Sequence, residues 1–416
     1  MMKENENGKA GRLVGYDEAL QFVYESTAAL PPIQRLLREA NGQVLFENVT
    51  ARVDSPPADI SAMDGYAVLS ADIESACEET PIALTVAGKA TAGKAWRAPV
   101  QPGTAVNITT GAPIPEGADA VVPVEMCRRH GEKKVEVLAA LETGRYIRTR
   151  GADTRAGRII AKKGSALVPS LVGHLAAAGV ERVNVVKRPS VSLLAIGDEI
   201  VEPGEKPGPN QIFASNTVCL AAWLARFGFT CSSRIVRDDI SVIADAIDEA
   251  SSSSDTVLSV GGAGDSDRDL VVPALDTLGW NMLFRRVRLR PGSGSALGLL
   301  HSKPVFCLPG GPPACEMVFL QLVLPGLWRL AGHGGRALPE VSARLKETIA
   351  LRDTTCTGFH RATLVREGSE FVASPYRSSI RLERMSRANS LIRCPEGMRE
   401  IEKGTFVEVQ MLDWHE

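Results

Sequence analysis

Acids and glycines recur where predicted strands end, and they are the residues of this sequence best suited to chemistry. The predicted strand SVSLLAI runs into Gly197, Asp198 and Glu199, and the predicted strand TCSSRIV runs into Asp238 and Asp239. Open α/β sheets bind ligands beyond the carboxyl ends of their parallel strands, which lie along one edge. We therefore expect these residues to lie close together at a ligand site.

Later strands of the same series end in glycine and proline. Glycine lets backbone amides approach a ligand closely, and proline fixes the shape of a loop without adding a donor. Such an edge suits a bulky anionic group such as a phosphate. The residues at these later strand ends are Gly261, Gly262, Asp269, Pro309, Gly310 and Pro312.

The carboxylates at this edge need a counter-ion, because they would otherwise repel a phosphate. Mg²⁺ held by one or two carboxylates and by substrate oxygens is the usual arrangement. For Asp198, Asp238 or Asp269 taken singly, an N-cap of the following helix is the simpler interpretation. Taken together, the acids predict a site for a phosphorylated ligand with Mg²⁺.

Three further polar residues lie in segments that look like turns. Asp64 lies in SAMDGYA, Thr110 in TGAP and Asp153 in the charged segment IRTRGADTRAG. Each fits an ordinary turn or a solvated charge cluster, although Asp64 could face a metal and Thr110 could bind an oxyanion. The sequence contains no P-loop, nucleophile elbow or complete GxGxxG, so it does not support a kinase, a hydrolase or a dinucleotide enzyme.

The elements that position these residues alternate regularly from residue 189 onwards. Strands alternate with helices as far as a helix from about Ala314, which predicts a doubly wound, mostly parallel α/β sheet with both faces covered. One predicted strand of this series is FRRVRL. Near the start of the chain, residues 16–41 carry helical spacing interrupted by Pro31 and Pro32, which predicts two short helices.

Changes of pattern along the chain predict four domains. Residues 1–46 and 144–188 form a discontinuous N-terminal helical and linker domain, and residues 47–143 form an inserted β-rich domain of short apolar runs. Residues 189–333 form the α/β domain. Residues 334–416 begin at a glycine pair and carry short β-branched runs, which predict a small C-terminal β-barrel or sandwich, of which we expect the barrel.

Composition narrows the class of function. The chain has 416 residues, of which 44% are hydrophobic and 23% charged, and its formal net charge is -2. This balance indicates a globular protein with no field that would attract nucleic acid or an anionic membrane, and no apolar run approaches a membrane-spanning length. The eight cysteines form no CxxC pair and no zinc spacing with the six histidines. We expect a cytoplasmic protein with a small-molecule ligand.

Eight segments in order resemble the MoeA-type molybdopterin molybdenumtransferases, the molybdenum insertase family that includes the C-terminal part of gephyrin. The resemblance runs almost from end to end. The segments include SAMDGYAV, TGAPIPEGADAVV, GRYIRTRGADTRAG, GDEIVEPGEKPGPNQIFASN, GGAGDSDRDLV, RPGSGSALG and LPGGPPA.

The resemblance implies both an architecture and a reaction. It implies an elongated homodimer of four-domain chains, in which a MogA-like α/β domain binds molybdopterin and the active site lies between subunits. The implied function is molybdenum cofactor biosynthesis. In that reaction molybdate replaces adenylate on adenylylated molybdopterin, AMP is released and Mg²⁺ assists.

The resemblance also implies the site residues. The expected catalytic residues are Asp64, Thr110, Asp153, Glu199, Asp238 and Asp269. Glu199, Asp238 and Asp269 are expected at the metal and the nucleotide phosphate. The other three are expected to reach in from the neighbouring subunit. The expected cofactor-binding residues are Gly197, Asp198, Ser215, Asn216, Gly261, Gly262, Arg290, Pro291, Gly292, Ser293, Pro309, Gly310 and Pro312.

The sequence departs from the family pattern where donors for an oxyanion are expected. The family segment Lys-Pro-Gly-Lys is replaced by one that begins with Arg290 and ends with Ser293, and a family serine is replaced by Ala314. An ammonium group and a hydroxyl group are thereby lost, and both could bind the molybdate dianion. The enzyme interpretation relies on Arg290, turn amides and Arg387 to replace them.

The alternative function is that of a paralogue without insertase activity. Such a protein would bind molybdopterin or a nucleotide as a carrier or chaperone for a molybdoenzyme. The sequence also leaves open which acid acts within two close pairs, Asp238 with Asp239 and Asp267 with Asp269.

Overall fold

A computed structural model of the chain describes residues 13–262, 269–351, 353–376 and 382–413. The chain forms two compact units. The smaller unit is residues 33–185, and the larger unit combines the N-terminal segment up to residue 32 with everything from residue 186 onwards. Among the described residues, no helix is long and apolar enough to cross a membrane.

The N-terminal segment contains one helix instead of the two predicted. A short strand β1 (Val14–Gly15) leads into α1 (Tyr16–Ser26), which confirms the first helix. The second prediction is wrong, because strand β2 (Pro32–Leu36) and a short 3-10 turn take its place. Two consecutive prolines remove backbone donors and disfavour the helical conformation, and β2 pairs instead with a later strand.

The smaller unit is built around a six-stranded sheet, as the β-rich pattern predicts. Its helix α2 (Pro169–Ala177) begins at a proline and is closed by Gly179, whose φ is +79°. The strands of this unit after β2 are β3 (Val49–Thr50), β4 (Ile60–Ser61), β5 (Gly65–Val68), β6 (Ile82–Ala90), β7 (Thr104–Ile108), β8 (Ala120–Pro123), β9 (Cys127–His130), β10 (Lys134–Val137), β11 (Ile147–Arg148), β12 (Ile159–Ala161) and β13 (Arg182–Val186). The sheet order is β8-β5-β7-β6-β10-β9, and β13 is the partner of β2.

The α/β part of the larger unit confirms the doubly wound sheet. Its strands are β14 (Ser190–Ile196), β15 (Ile200–Val201), β16 (Ile212–Phe213), β17 (Thr230–Val236), β18 (Thr256–Val260), β19 (Asn281–Arg285), β20 (Val287–Arg290), β21 (Ala296–Leu300) and β22 (Lys303–Leu308). Its helices are α3 (Ser215–Arg226), α4 (Ile240–Ser253), α5 (Val271–Thr277), α6 (Pro312–Val318) and α7 (Leu324–Leu330). The sheet order is β17-β14-β18-β22-β21-β19; the first four strands pair in parallel, and the pairings β22–β21 and β21–β19 are antiparallel.

The predicted strand FRRVRL is wrong as a single element. The chain turns at Arg286, whose φ is +72°, and its amide donates to the Ser295 carbonyl at 2.8 Å. Strand β20 therefore leaves the α/β sheet and pairs in parallel with β1. This change of sheet brings Arg290, at the end of β20, beside the C-terminal domain.

The C-terminal domain is a closed five-stranded barrel, as predicted. Its elements are β23 (Glu340–Leu345), β24 (Ile349–Ala350), β25 (Thr357–Glu367), β26 (Glu370–Pro375), α8 (Leu382–Arg387), β27 (Ser390–Cys394), β28 (Glu400–Ile401) and β29 (Phe406–Met411). The order β25-β26-β23-β29-β27 closes because β27 also pairs with β25. Phe359 and Leu391 of this domain are buried in the same apolar cluster as Phe306 and Leu308 of the α/β sheet.

Candidate functional site

The end of β14 carries an acid folded back over a glycine. A side-chain carbon placed on Gly197 would lie 2.6 Å from the Glu199 Oε2 atom, so no larger residue fits there while that carboxylate keeps its position. The Gly197 amide donates to the Val236 carbonyl at 3.1 Å, which joins the ends of β14 and β17. The predicted residues at these two strand ends therefore lie together.

The adjacent acids after β17 have different roles. Asp239 is the N-cap of α4, because its Oδ1 atom accepts from the amides of Ser241 at 2.9 Å and Val242 at 3.1 Å. The Ser241 hydroxyl and these amides hold the pKa of Asp239 below its usual value. The neighbouring Asp238 has a different partner, because its Oδ2 atom accepts from the Asp198 amide at 3.3 Å. The geometry leaves Asp238 as the acid directed towards the strand-end edge.

Glycines pack the strand ends closely against one another. A side-chain carbon on Gly261, whose φ is +92°, would lie only 2.8 Å from the Ile196 carbonyl oxygen. Gly310 contacts Gly261. Asn216, at the start of α3, donates from Nδ2 to the Gly310 carbonyl at 2.7 Å. Gly261, Gly310 and Asn216, three predicted ligand residues, thus lie next to one another at this edge.

Asp269 is described by the structure and precedes α5, whose N-cap is Leu270. It is partly exposed and interacts with another residue. Asp267, its alternative in the predicted pair, lies outside the described residues.

A cavity of about 1380 Å³ lies between the α/β part and the barrel. One wall is the segment from Arg290 to Gly294, together with Pro309 and Ala314. Seven of the residues expected from the sequence are therefore near or at this cavity, because five of them line it and Gly310 and Pro312 continue the loop that begins at Pro309. The cavity wall and the strand-end edge share this loop.

The guanidinium group of Arg290 already has a carboxylate partner. Its Nε atom lies 3.2 Å from the Asp353 Oδ2 atom. The Thr355 hydroxyl, at 2.6 Å, and the Thr355 amide, at 2.9 Å, also donate to Asp353 and are the main reason that its pKa falls to about 2. Asp353 is therefore ionised at neutral pH and balances the charge of Arg290.

The rest of the cavity lining consists of barrel residues that were not predicted from the sequence. They belong to no motif, and the closure of the barrel brings them together from segments far apart in the chain. By contrast, Arg387 pairs with Glu383 on α8 at 3.0 Å and is absent from the described lining. The polar barrel residues of the lining are Lys346, Glu347, Thr348, Asp353, Cys356, His360, Tyr376 and Lys403.

The three remaining predicted catalytic residues lie in the smaller unit. The Thr110 amide donates to Asp64 Oδ1 at 2.7 Å, and the Thr110 hydroxyl contacts the same oxygen at 3.2 Å. This pair joins the turn before β5 to the turn after β7. Asp153 forms a separate ion pair with Arg148.

The described residues contain no group of three or more His, Cys, Asp or Glu side chains that could hold a metal ion by themselves.

The fold and this edge are those of the MoeA class of proteins. Three family descriptions match successive parts of the chain: "MoeA N-terminal region (domain I and II)" at residues 14–179, "Probable molybdopterin binding domain" at 192–329 and "MoeA C-terminal region (domain IV)" at 343–412.

Individual relatives extend this match over the whole chain. The chain is 31% identical to molybdopterin molybdenumtransferase 2 of Mycobacterium tuberculosis (strain H37Rv), over 94% of this chain and 98% of that protein. It is 29% identical to the molybdopterin molybdenumtransferase of Staphylococcus aureus (strain COL), over 94% of each. A crystal structure of the molybdopterin biosynthesis MoeA protein of Pyrococcus horikoshii superposes with a TM-score of 0.80 at 28% identity, covering 97% of this chain and 100% of that one. The chain belongs to the molybdopterin molybdenumtransferase family, a family of transferases in molybdenum cofactor biosynthesis.

Proposed function

We propose that this protein inserts molybdate into adenylylated molybdopterin and releases AMP. The observation that carries the proposal is the cavity of about 1380 Å³, whose wall continues through Pro309 and Gly310 into the acidic strand-end edge. Small-molecule sites usually measure about 300–1,000 Å³. A larger cavity joined to an anion-binding edge suits a ligand that combines a pterin with a nucleotide.

The strand-end edge is proposed to bind the phosphate groups. Gly261 and Gly310 lie next to each other and add no side chains to this edge, so a phosphate can approach the backbone. Glu199, Asp238 and Asp269 are proposed to hold Mg²⁺ together with phosphate oxygens. When bound, Mg²⁺ would neutralise phosphate charge, and the carboxylates would orient the phosphate groups through it.

The insertase proposal predicts that molybdate controls AMP release. Purified protein with Mg²⁺ and adenylylated molybdopterin should release AMP only when molybdate is present, and Asp269→Ala should release little. AMP can be quantified by chromatography after quenching. Tight pterin binding without molybdate-dependent release would instead favour the carrier or chaperone function.

The protein is further proposed to act as a homodimer in which Asp64, Thr110 and Asp153 complete the partner subunit's site. Asp64→Ala and Asp238→Ala should then complement each other when co-expressed with different tags. Half of the dimers would be mixed, and each would contain one intact site, so the activity should recover to about a quarter of the wild-type value.

A matched pair of variants controls this complementation. Glu199→Ala with Asp238→Ala should not complement, because both changes affect the same half of each site. Recovery in this control, or its absence in the Asp64→Ala mixture, would contradict the shared-site proposal.

A further inference from the structure

Among the described residues, three lysine and arginine side chains line the large cavity, and they differ in their partners. Arg290 faces Asp353 at 3.2 Å, and Lys346 Nζ lies 3.7 Å from Glu367 Oε1. Lys403 is exposed and forms no ion pair with any described residue. Two of the three positive charges are therefore balanced by a carboxylate before any ligand binds.

Lys403 is held at the cavity by its backbone. Its amide donates to the Thr348 Oγ1 atom at 3.1 Å, and Thr348 also lines the cavity. The backbone position is therefore fixed by the barrel, while the four-carbon side chain keeps its freedom. Glu347, another acid of this wall, has an interaction with another residue.

The α/β wall offers little free positive charge to an anion. Ser293 and Ala314 are neutral, and Asp353 balances Arg290 because its pKa is about 2. A tetrahedral dianion in this cavity requires at least one cation that is not already neutralised. The residue that meets this requirement comes from the barrel.

We infer that Lys403 is the residue that binds the oxyanion substrate, so the C-terminal barrel supplies the specificity that Ser293 does not. This inference rests on the proposed insertase function. A lysine ammonium group suits the role because it is a compact point charge with three rotatable donors.

The inference predicts a selective change in Lys403→Met. The KM for molybdate in AMP release should rise about tenfold, as expected for losing one charge-assisted hydrogen bond at an accessible site. The KM for adenylylated molybdopterin should change by less than about twofold, since only the anion contact is lost. The KM for molybdate should also become less sensitive to salt, because the screened attraction is gone. Lys162→Met, at an exposed lysine of the smaller unit, is the matched control and should change none of these values.

A charge-relocation variant separates a binding role from a structural one. Ser293→Lys combined with Lys403→Met places an ammonium group on the other wall of the same cavity. It should return the KM for molybdate to within about threefold of the wild-type value. The attraction of the dianion depends on a positive charge in the cavity and less on which residue carries that charge. Lys403→Arg should also retain most of the affinity.

The outcomes distinguish this inference from the function on which it rests. An unchanged KM for molybdate in Lys403→Met, or an equal rise in both KM values without rescue by Ser293→Lys, overturns the inference alone. If the wild-type protein releases no AMP, the insertase proposal fails. Calorimetry with molybdate alone, on the wild-type protein and Lys403→Met, then tests whether Lys403 binds the oxyanion. Weaker molybdate binding by Lys403→Met than by the wild-type protein supports the anion site. Equal binding by the two proteins, or no binding by the wild-type protein, overturns it.

Discussion

Asp238→Asn is expected to lower molybdate-dependent AMP release by on the order of a hundredfold or more, whereas Asp239→Asn should leave it within about threefold. The two acids are adjacent in the sequence but differ in geometry. Asp238 accepts from the Asp198 amide at the strand-end edge, and Asp239 caps α4 through Ser241 and Val242. A neutral amide at Asp238 removes a charge proposed to hold Mg²⁺, while the same change at Asp239 affects only the helix end.

The two variants should therefore differ in what they lose: Asp238→Asn should lose AMP release, and Asp239→Asn should lose thermal stability. Asp239→Asn should lower the thermal midpoint of unfolding, because an asparagine side chain caps without the charge that favours a helix N-terminus. Asp238→Asn should unfold like the wild-type protein. Near-normal release by Asp238→Asn, or an equal loss of release in both variants, would show that this assignment of the two acids is wrong.

Arg361→Met is expected to lower the free energy of unfolding by about 3–5 kcal/mol. Arg361, on β25, is only 1% exposed and forms an ion pair with Glu316 on α6. Glu316 also accepts from Trp223 Nε1 at 2.7 Å. Removing the arginine would leave the Glu316 carboxylate buried without its counter-charge, and this desolvated charge is the main cost.

Adding Glu316→Gln to Arg361→Met should restore much of the lost free energy of unfolding. Glu316→Gln in the Arg361→Met background removes the unpaired charge and keeps an acceptor for Trp223, so it should restore about half of the lost free energy or more. Arg344→Met, which breaks the exposed pair with Glu370, is the matched control and should cost less than about 1 kcal/mol. Urea unfolding of the four proteins measures these values. Similar losses in Arg361→Met and Arg344→Met would contradict a stabilising buried pair.

The α/β sheet and the barrel were predictable because their signals are local and repeated. Strands such as β14 and β18 are runs of apolar residues bounded by glycine or acid, which is the pattern of a strand buried on both faces. The acids and glycines at their ends could be located for the same reason. The resemblance to MoeA-type proteins was confirmed over nearly the whole chain.

Elements decided by distant partners were not predictable. The segment after Pro32 has helical spacing but becomes a strand because it pairs with β13, about 150 residues later in the chain. Similarly, FRRVRL reads as one strand, but the left-handed turn at Arg286 divides it between two sheets. Local propensity carries no information on these pairings.

The cavity wall could be predicted only in part, for the same physical reason. Arg290 and Ser293 belong to a recognisable segment, whereas Lys403 lies in an ordinary surface turn whose position depends on closure of the barrel. Arg361 was equally hidden, because a charged residue in the middle of a strand normally faces water. Only the structure shows that it faces Glu316.

The measurement that tests the proposed function most directly follows the metal itself. Protein, Mg²⁺, adenylylated molybdopterin and molybdate would be incubated, the pterin separated from free oxyanion, and its molybdenum content compared with the AMP released. The proposal predicts about one molybdenum atom on the pterin for each AMP, and neither product from Asp269→Ala. Pterin that binds tightly but stays adenylylated and free of molybdenum would contradict the insertase function and leave a pterin-binding carrier.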